Sequence, residues 1–378
     1  MQKQINQLRA NLTAQFPERK DVIDGALAAV LAGEHVLLLG PPGTAKSALV
    51  RCLAQTFGGS YFERLLTKFS TPEELFGPIS LQGLAKDRFV RITTGKLPEV
   101  EFAFVDEIFK SNSAVLNALL SIINERVFHN DGAPVRCPLV SLFAASNELP
   151  EGKELEALFD RFLLRFDVGY LLVAANLRGV LVGPEPAIPA ALTMDELRRA
   201  QAEVSAIKVT DETVDGLLAI RDACRGEGIT ASDRRWKKSL GVVRASAWIS
   251  GEKKTSTEDL AILVDSLWRE PKERAKVARL VGKLADPANT QAVEILDAAR
   301  EIATKVGRLK FGDRKYYIGQ AAQAVEQFEA QQAKLQKLAK SAGRRAKVVI
   351  NDAVAEIQGL HAEMARAVSS GLGLRGLQ

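Results

Sequence analysis

The sequence predicts an α/β fold in which a parallel sheet with crossover helices is followed by an all-helical region. Three observations carry this. Over the first 170 residues short apolar runs alternate with longer amphipathic segments, the pattern of strands joined by helices. Beyond residue 180 the spacing is helical throughout. Between them, the stretch 183–189 holds three prolines, which marks a boundary. At about 150 residues per domain, 378 residues make two to three domains. The divisions expected are an α/β core over 1–182, an all-α region over 190–284 and a helical tail over 285–378.

In the core, strands are expected at His35–Leu39, Tyr61–Leu65, Phe102–Val105, Leu139–Ala145 and Arg165–Val168. Helices are expected at Lys46–Thr56, Ser113–Glu125 and Leu155–Phe159. Two further segments read as β-hairpins: Ile79–Thr93 around Gly83, and Val127–Pro138, where Asn130, Asp131 and Gly132 suit a tight reversal. Past the boundary, helices are expected at Thr193–Ile207, Asp211–Glu227, Ser232–Ser250 and Thr257–Leu267. In the tail, Ala321, Val325, Phe328, Leu335 and Ala339 recur at spacings of three and four, with polar Gln332 as the exception. A second seam runs through Ile350, Ala353, Ile357, Leu360, Met364 and Ala367. Separated by Gly343, Arg344 and Arg345, the two seams predict an antiparallel helical hairpin.

Composition excludes several classes. With 47% hydrophobic and 26% charged residues the chain is far from a disordered composition. No apolar run reaches the roughly 18 to 20 residues of a membrane span, since even Leu171–Val182 is broken by Asn176 and Arg178. The polar N-terminus lacks the apolar segment of a signal peptide, so a cytoplasmic protein is expected. Cys52, Cys137 and Cys224 are too widely spaced for paired zinc ligands, and His35, His129 and His361 are equally scattered. Metal-dependent chemistry must therefore come through carboxylates. The net charge of +5 is uneven: residues 1–180 carry 19 basic against 20 acidic groups, leaving 32 against 26 for the rest. A pI near 9.0 admits nucleic-acid binding. The basic residues of the helical region are nevertheless interleaved with acids, as over Lys272–Lys283, which reads as a solvated face.

The chemistry starts at Gly40-Pro41-Pro42-Gly43-Thr44-Ala45-Lys46-Ser47-Ala48, which follows an apolar strand and opens a helix. Backbone N–H groups of such a loop converge on phosphate oxygens, Lys46 brings charge to the β/γ-phosphates and the Ser47 hydroxyl suits Mg²⁺. The strict pattern has glycine where this chain has Ala45, and alanine is tolerable where φ stays negative. Sixty positions after Lys46, the strand Phe102–Val105 ends in Asp106-Glu107. Asp106 is placed to hold Mg²⁺ through water and Glu107 to orient and activate an attacking water. The strand Leu139–Ala145 ends in Ser146-Asn147, so Asn147 reaches the same edge. In Asp160–Arg165, Arg161 and Arg165 could neutralise transition-state charge or serve as surface ion-pair residues.

These motifs resemble the AAA+ ATPases of the MoxR group, and within it the regulatory ATPase variant A (RavA) subgroup. GPPGTAKS resembles that group's Walker A loop. FVDEIFKSN resembles the subgroup's Walker B stretch and departs from the DEINRA common elsewhere in the group. Ser146-Asn147 is similar to sensor 1, Asp160–Phe162 to the arginine-finger segment and Ser232–Ser239 to sensor 2. The resemblance spans roughly residues 5–270.

It implies a homo-hexameric ring that hydrolyses ATP with Mg²⁺ at subunit interfaces. Lys46, Ser47, Asp106, Glu107 and Asn147 would act in one subunit, Arg161 on its neighbour's γ-phosphate and Arg234 from a helical lid, with Arg165 and Arg235 as runners-up. The two hairpins would correspond to pore or upper-face insertions, or else be plain surface decoration. Lys237 and Lys238 would join Arg234 and Arg235 where nucleotide phosphates supply the opposing charge. The group's usual β-rich module between tail helices has no room here between Lys340 and Ala346. The implied partner is a protein client, a von Willebrand factor A domain protein being the candidate. The alternatives are a nucleic-acid motor and a nucleotide-gated scaffold of slow turnover; the second is weakened by the presence of both Glu107 and Asn147.

Overall fold

The structure, a computed structural model, describes residues 1–183, 192–309 and 313–371. It divides into two compact units, one of Met1–Asp215 with Cys224–Val277, the other of Gly216–Ala223 with Ala278–Gln378. The prolines expected to mark a boundary, 184–189, lie outside the described residues.

In the first unit, β1 (Val36–Leu39), β2 (Tyr61–Leu65), β3 (Phe102–Asp106), β6 (Ser141–Ser146) and β7 (Leu164–Asp167) form one parallel sheet in the order β2-β3-β6-β1-β7. The five expected strands all form, with ends shifted by up to two residues. β1 and β6 are buried along their whole length because helices cover both faces, which is why they read as unbroken apolar runs. The core continues into helices Gln2–Gln15 and Lys20–Ala32, whose Ile5, Leu8, Leu27 and Val30 join Phe104 and Phe166 of the sheet. Helices Lys46–Thr56 and Ser113–Glu125 lie where the sequence predicts them, and the third begins slightly earlier, at Lys153. Asn112 starts the second by accepting from the Val115 amide at 3.1 Å.

The strand order decides where the phosphate loop emerges. β1 lies between β6 and β7, so the loop leaves the sheet flanked by both. The Gly40 amide donates to the Ser146 carbonyl at 3.0 Å and the Val168 amide to the Leu39 carbonyl at 2.7 Å. A Cβ on Gly40 would lie 2.2 Å from the Val168 carbonyl oxygen, so the loop can start here only with glycine.

Of the two expected hairpins one forms. β4 (Val127–Asn130) and β5 (Ala133–Arg136) pair antiparallel, and Asp131 and Gly132 supply the two positive-φ residues of the turn. Residues 79–93 form instead a short helix, Leu81–Leu84, with a single antiparallel bridge between Ile79 and Arg91. The reason is local: Ser80 Oγ accepts from the Gly83 amide and caps a helical turn, leaving too few residues for two strands.

The helical region of this unit contains Met194–Ala206, Asp233–Ile249, a 3₁₀ segment Thr257–Leu263 and the turn Val264–Leu267. The first three starts carry an acceptor the sequence advertises: Thr193 with Glu196 in a capping box, Ser232 before Asp233, and Ser256 with Asp259. Val242, Ala245 and Trp248 of Asp233–Ile249 join Leu27 and Val30 in the core, so this helix is fixed against the α/β layers.

In the second unit the two expected arms are helices Arg314–Ser341 and Arg344–Gly371, and a third helix, Pro287–Arg308, packs on both. The periodic residues Ala321, Phe328, Leu335, Ile350, Ile357 and Met364 are buried, and Ala292, Ala299 and Val306 complete the core from the third helix. Gln332 is half-buried at the seam's polar interruption. Arg300 grips Glu356 through two hydrogen bonds of 2.7 and 2.9 Å across the bundle surface. Among the described residues no helix is long and apolar enough to cross a membrane, and all three cysteines are free and buried.

Candidate functional site

The candidate site lies at the C-terminal edge of the sheet, where β1, β3 and β6 end together. After Gly40 the loop runs through Gly43 at φ 78° and Ala45 at φ 62° into helix Lys46–Thr56. Ala45 thus occupies the left-handed region, contrary to the negative φ expected for alanine there. The turn that aims successive amides at one point requires this conformation whatever residue fills it, and an L side chain pays about 1–2 kcal/mol for adopting it. The Thr44 hydroxyl donates to the Pro41 carbonyl at 3.1 Å. Lys46 Nζ lies over the loop, donating to the carbonyls of Gly40 at 2.9 Å and Pro41 at 2.8 Å. Partial burial lowers the pKa of Lys46, against the pull of Asp106 and Glu107.

That pull also places the acid pair beside the lysine. Asp106 ends β3, half-buried, and its Oδ1 accepts from the Glu107 amide at 3.0 Å. Glu107 takes φ 53° and turns the chain into a 3₁₀ segment, Ile108–Lys110. Glu107 Oε2 is buried and meets no hydrogen-bond donor among the described residues. Lys110 Nζ stands 3.4 Å from it, within ion-pair range but outside hydrogen-bond geometry. Val105 is in register with Ala144, so Asn147, exposed just beyond β6, emerges at the edge that carries Glu107.

The arginines lie elsewhere. Arg161 precedes β7, whose Leu164 is in register with Val36 at the start of β1, so it belongs to the opposite edge from Lys46. Four strand residues at about 3.3 Å each put ~13 Å of sheet between the two edges. Arg161 Nε donates to Asn124 Oδ1 at 3.1 Å, and its pKa is lowered by partial burial first and by the nearby Arg234 second. Arg234, exposed in the first turn of Asp233–Ile249, therefore stands beside Arg161 and not beside its own phosphate loop.

The two runners-up are structural. Arg165 is 2% exposed, stacks 3.8 Å over the Phe159 ring and donates to the Trp268 carbonyl at 2.5 Å, so it cannot reach a neighbour. Arg235, also 2% exposed, donates to Asp160 Oδ1 and to the carbonyls of Asp160, Phe162, Leu163 and Ser266. Lys238 pairs with Glu34 at 2.7 Å. Of the four basic residues expected to face phosphate, Arg235 and Lys238 thus have internal partners.

Sequence reasoning missed three committed cations, two of them near the site and one, Arg126, at the opposite edge of the sheet. Arg19, nearly buried, donates to the Gly169 carbonyl at 2.5 Å and lies close enough to Lys46 to oppose its charge. Nothing in its local sequence signals this. Arg126 ends helix Ser113–Glu125 at φ 57° and donates to the carbonyls of Gly33 and Leu139 at 2.7 and 2.9 Å. Lys110 was legible, since it stands three residues after Glu107.

Among the described residues no group of three His, Cys, Asp or Glu gathers as a metal site. A hydroxyl at Ser47 and one carboxylate at Asp106 nevertheless suit Mg²⁺, which usually draws its other ligands from water and phosphate.

A parallel sheet in this order, with a phosphate loop after the interior strand β1, an acid pair on β3 and a helical lid, defines a P-loop ATPase of the AAA+ class. The model of the MoxR domain in the MoxR-vWA-beta-propeller ternary systems matches residues 3–193, and that of an AAA lid domain matches residues 212–281. The chain belongs to the MoxR family of AAA+ ATPases. An uncharacterized protein of Methanocaldococcus jannaschii is 42% identical over 320 residues, 82% of this chain and 85% of its own. Chaperone MoxR1 of Mycobacterium tuberculosis is 32% identical over 155 residues, 39% of this chain and 40% of its own. A solved structure of a putative ATPase from Cytophaga hutchinsonii shares the fold at a TM-score of 0.61 and 19% identity, covering 75% of this chain and 93% of that one.

Proposed function

We propose that this protein is an ATP-hydrolysing ring ATPase that remodels or activates a protein partner in the cytoplasm. The carrying observation is a separation: Lys46, Asp106 and Glu107 share one edge of the sheet, while Arg161 and Arg234 stand together at the other. A protomer so built has the phosphate-binding half of a site and, on its far side, cations suited to a second copy's γ-phosphate. A closed ring, hexameric by family resemblance, brings the two halves together. MoxR1, named a chaperone, supports the remodelling role, and the matched family description supports a von Willebrand factor A domain protein as client. The Walker B wording supports the RavA subgroup.

In this reading the loop amides and Lys46 bind the triphosphate, and Ser47 and Asp106 hold Mg²⁺. Bound there, Mg²⁺ would neutralise charge on the β- and γ-oxygens. Glu107 accepts the proton of a water that attacks the γ-phosphorus as the bond to ADP breaks, and Asn147 orients that water. Arg161 and Arg234 of the adjoining copy stabilise the developing charge.

The test is a set of variants. Glu107→Gln should bind ATP, fail to turn it over and hold a ring, while Lys46→Ala should lose nucleotide. Mixing Arg161→Ala with Glu107→Gln subunits should restore some activity at mixed interfaces, and two independent defects would sink the shared site. A nucleic-acid motor is the reading to revive only if DNA raises the ATPase rate with a steep salt dependence.

A further inference from the structure

The turn after Asp106 contains a cation that the chemistry above does not use. β3 ends, Glu107 reverses the chain at φ 53°, and residues Ile108–Lys110 form one 3₁₀ turn closed by the Lys110 amide donating to the Glu107 carbonyl at 2.9 Å. In a 3₁₀ helix the side chains at i and i+3 eclipse, so the geometry stacks Lys110 over Glu107. The turn is fixed from beneath by Ile108, fully buried, and Phe109, whose ring lies 6.1 Å from that of Phe159. Ser111 Oγ donates to the Ile108 carbonyl at 2.7 Å and tightens its exit. Asn112 then caps the next helix while donating to the Ser70 carbonyl at 2.7 Å. Every residue around Lys110 is thus committed, and only its side chain is left to act.

What it meets is the buried Glu107 Oε2, 3.4 Å away and without a hydrogen bond. A carboxylate oxygen in that position is costly to bury unless a positive charge faces it. We infer that Lys110 is a positioning residue for hydrolysis: its ammonium pins Oε2 and so presents the other oxygen of Glu107 to the attacking water. This rests on the ATPase reading above, and Lys110 acts only through Glu107. Without the cation the carboxylate would rotate toward other donors, and a displacement of the order of 1 Å is enough to lose one to two powers of ten in rate.

The test is steady-state ATP turnover and MgATP affinity of the full chain carrying Lys110→Met, Lys110→Arg and each combined with Glu107→Gln. The Met variant should lose about tenfold to a hundredfold in kcat with KM within about twofold. The Arg variant, which keeps a cation, should recover most of it. In the Glu107→Gln background, where turnover is already lost, Lys110→Met should leave MgATP affinity within about twofold, because Lys110 acts only through Glu107. Lys110→Gln, which keeps most of the stem, replaces the Met variant if that chain does not fold. A wild-type kcat in Lys110→Met, equal losses in the Arg variant, or a large loss of MgATP affinity on adding Lys110→Met to Glu107→Gln would each overturn the assignment. A wild-type chain without any turnover would instead sink the ATPase reading, and with it this inference.

Discussion

Arg235 Nε donates to Asp160 Oδ1 at 3.2 Å, joining the first turn of the lid helix Asp233–Ile249 to the residue that precedes Arg161. The rest of the guanidinium is satisfied by four backbone carbonyls, so a buried charge has become the bolt between lid and sheet. The neighbouring Arg234 is left exposed beside Arg161. One residue is structural and the next is free to meet a ligand, although the sequence presents them as a pair.

Stability should separate them. Arg235→Ala should cost roughly 3–5 kcal/mol, since it leaves four backbone carbonyls without their donor at a buried site. Arg234→Ala should stay within about 0.5 kcal/mol, as exposed substitutions usually do, while lowering ATP turnover in the ring. Urea unfolding followed by tryptophan fluorescence reads the first, and an ATPase assay on the assembled protein the second. Equal stability losses would contradict the division.

Ala45 sits at φ 62°. Ala45→Gly removes a left-handed strain of about 1–2 kcal/mol but adds about 0.5–1 kcal/mol of unfolded-chain entropy, so the net gain should lie between about 0 and 1.5 kcal/mol. Ala45→Val should be clearly destabilising, since a β-branched residue is poorly accommodated at positive φ. Denaturant midpoints of the two variants against wild type decide this.

The tip of the β4–β5 hairpin clamps the other insertion. Asp131 accepts from Arg88 Nε at 2.8 Å and from the Phe89 amide at 2.7 Å, and Asn130 Oδ1 accepts from the Arg91 amide at 2.7 Å. Arg88 is exposed, so solvent screens the ion pair and Asp131→Ala should barely change global stability. Its effect should be local: amide hydrogen exchange should speed up at Phe89 while β3 and β6 keep their protection. Unchanged exchange at Phe89 would mean the clamp does not hold the segment in solution.

The pH dependence should come from two buried groups of opposite sign. His35 is fully buried, accepts at Nδ1 from the Leu142 amide at 2.9 Å and donates from Nε2 to the Ile123 carbonyl at 3.0 Å, and burial holds its pKa well below 6.5. Below pH 6.5 the unfolded chain takes a proton that the folded chain refuses, so stability falls with pH. Burial raises Asp265 from 3.8 to about 6, so between these values the folded chain takes the proton first and stability rises as pH falls. The two oppose each other below about pH 6. Asp265→Asn should uncover the histidine, steepening the acid loss by up to about 1.4 kcal/mol per pH unit in urea titrations.

Much of the chemistry was written locally. The phosphate loop, the acid pair and Asn147 each end an apolar strand, and a parallel sheet gathers strand ends whatever its order, so their co-location followed from pattern alone. The caps at Thr193, Ser232 and Asn112 were similarly readable, because a cap depends only on residues three positions away. The segment around Gly83 was misread as a hairpin because a glycine between apolar residues suits a reversal, while the competing signal, Ser80 bonding Gly83, spans a single turn.

What tertiary structure alone decided is which of several identical cations is buried and on which edge each stands. Arg161 and Arg165 are four residues apart, and Arg234 and Arg235 are adjacent, so no local rule separates them. Placing β7 beside β1 puts Arg161 across the sheet from Lys46, and packing the lid helix against Lys20–Ala32 turns Arg235 inward and Arg234 outward. The sequence names the groups that handle a nucleotide, since backbone turns and strand ends are short-range. Their division between a protomer's own site and its neighbour's depends on long-range packing, which the order of residues does not display.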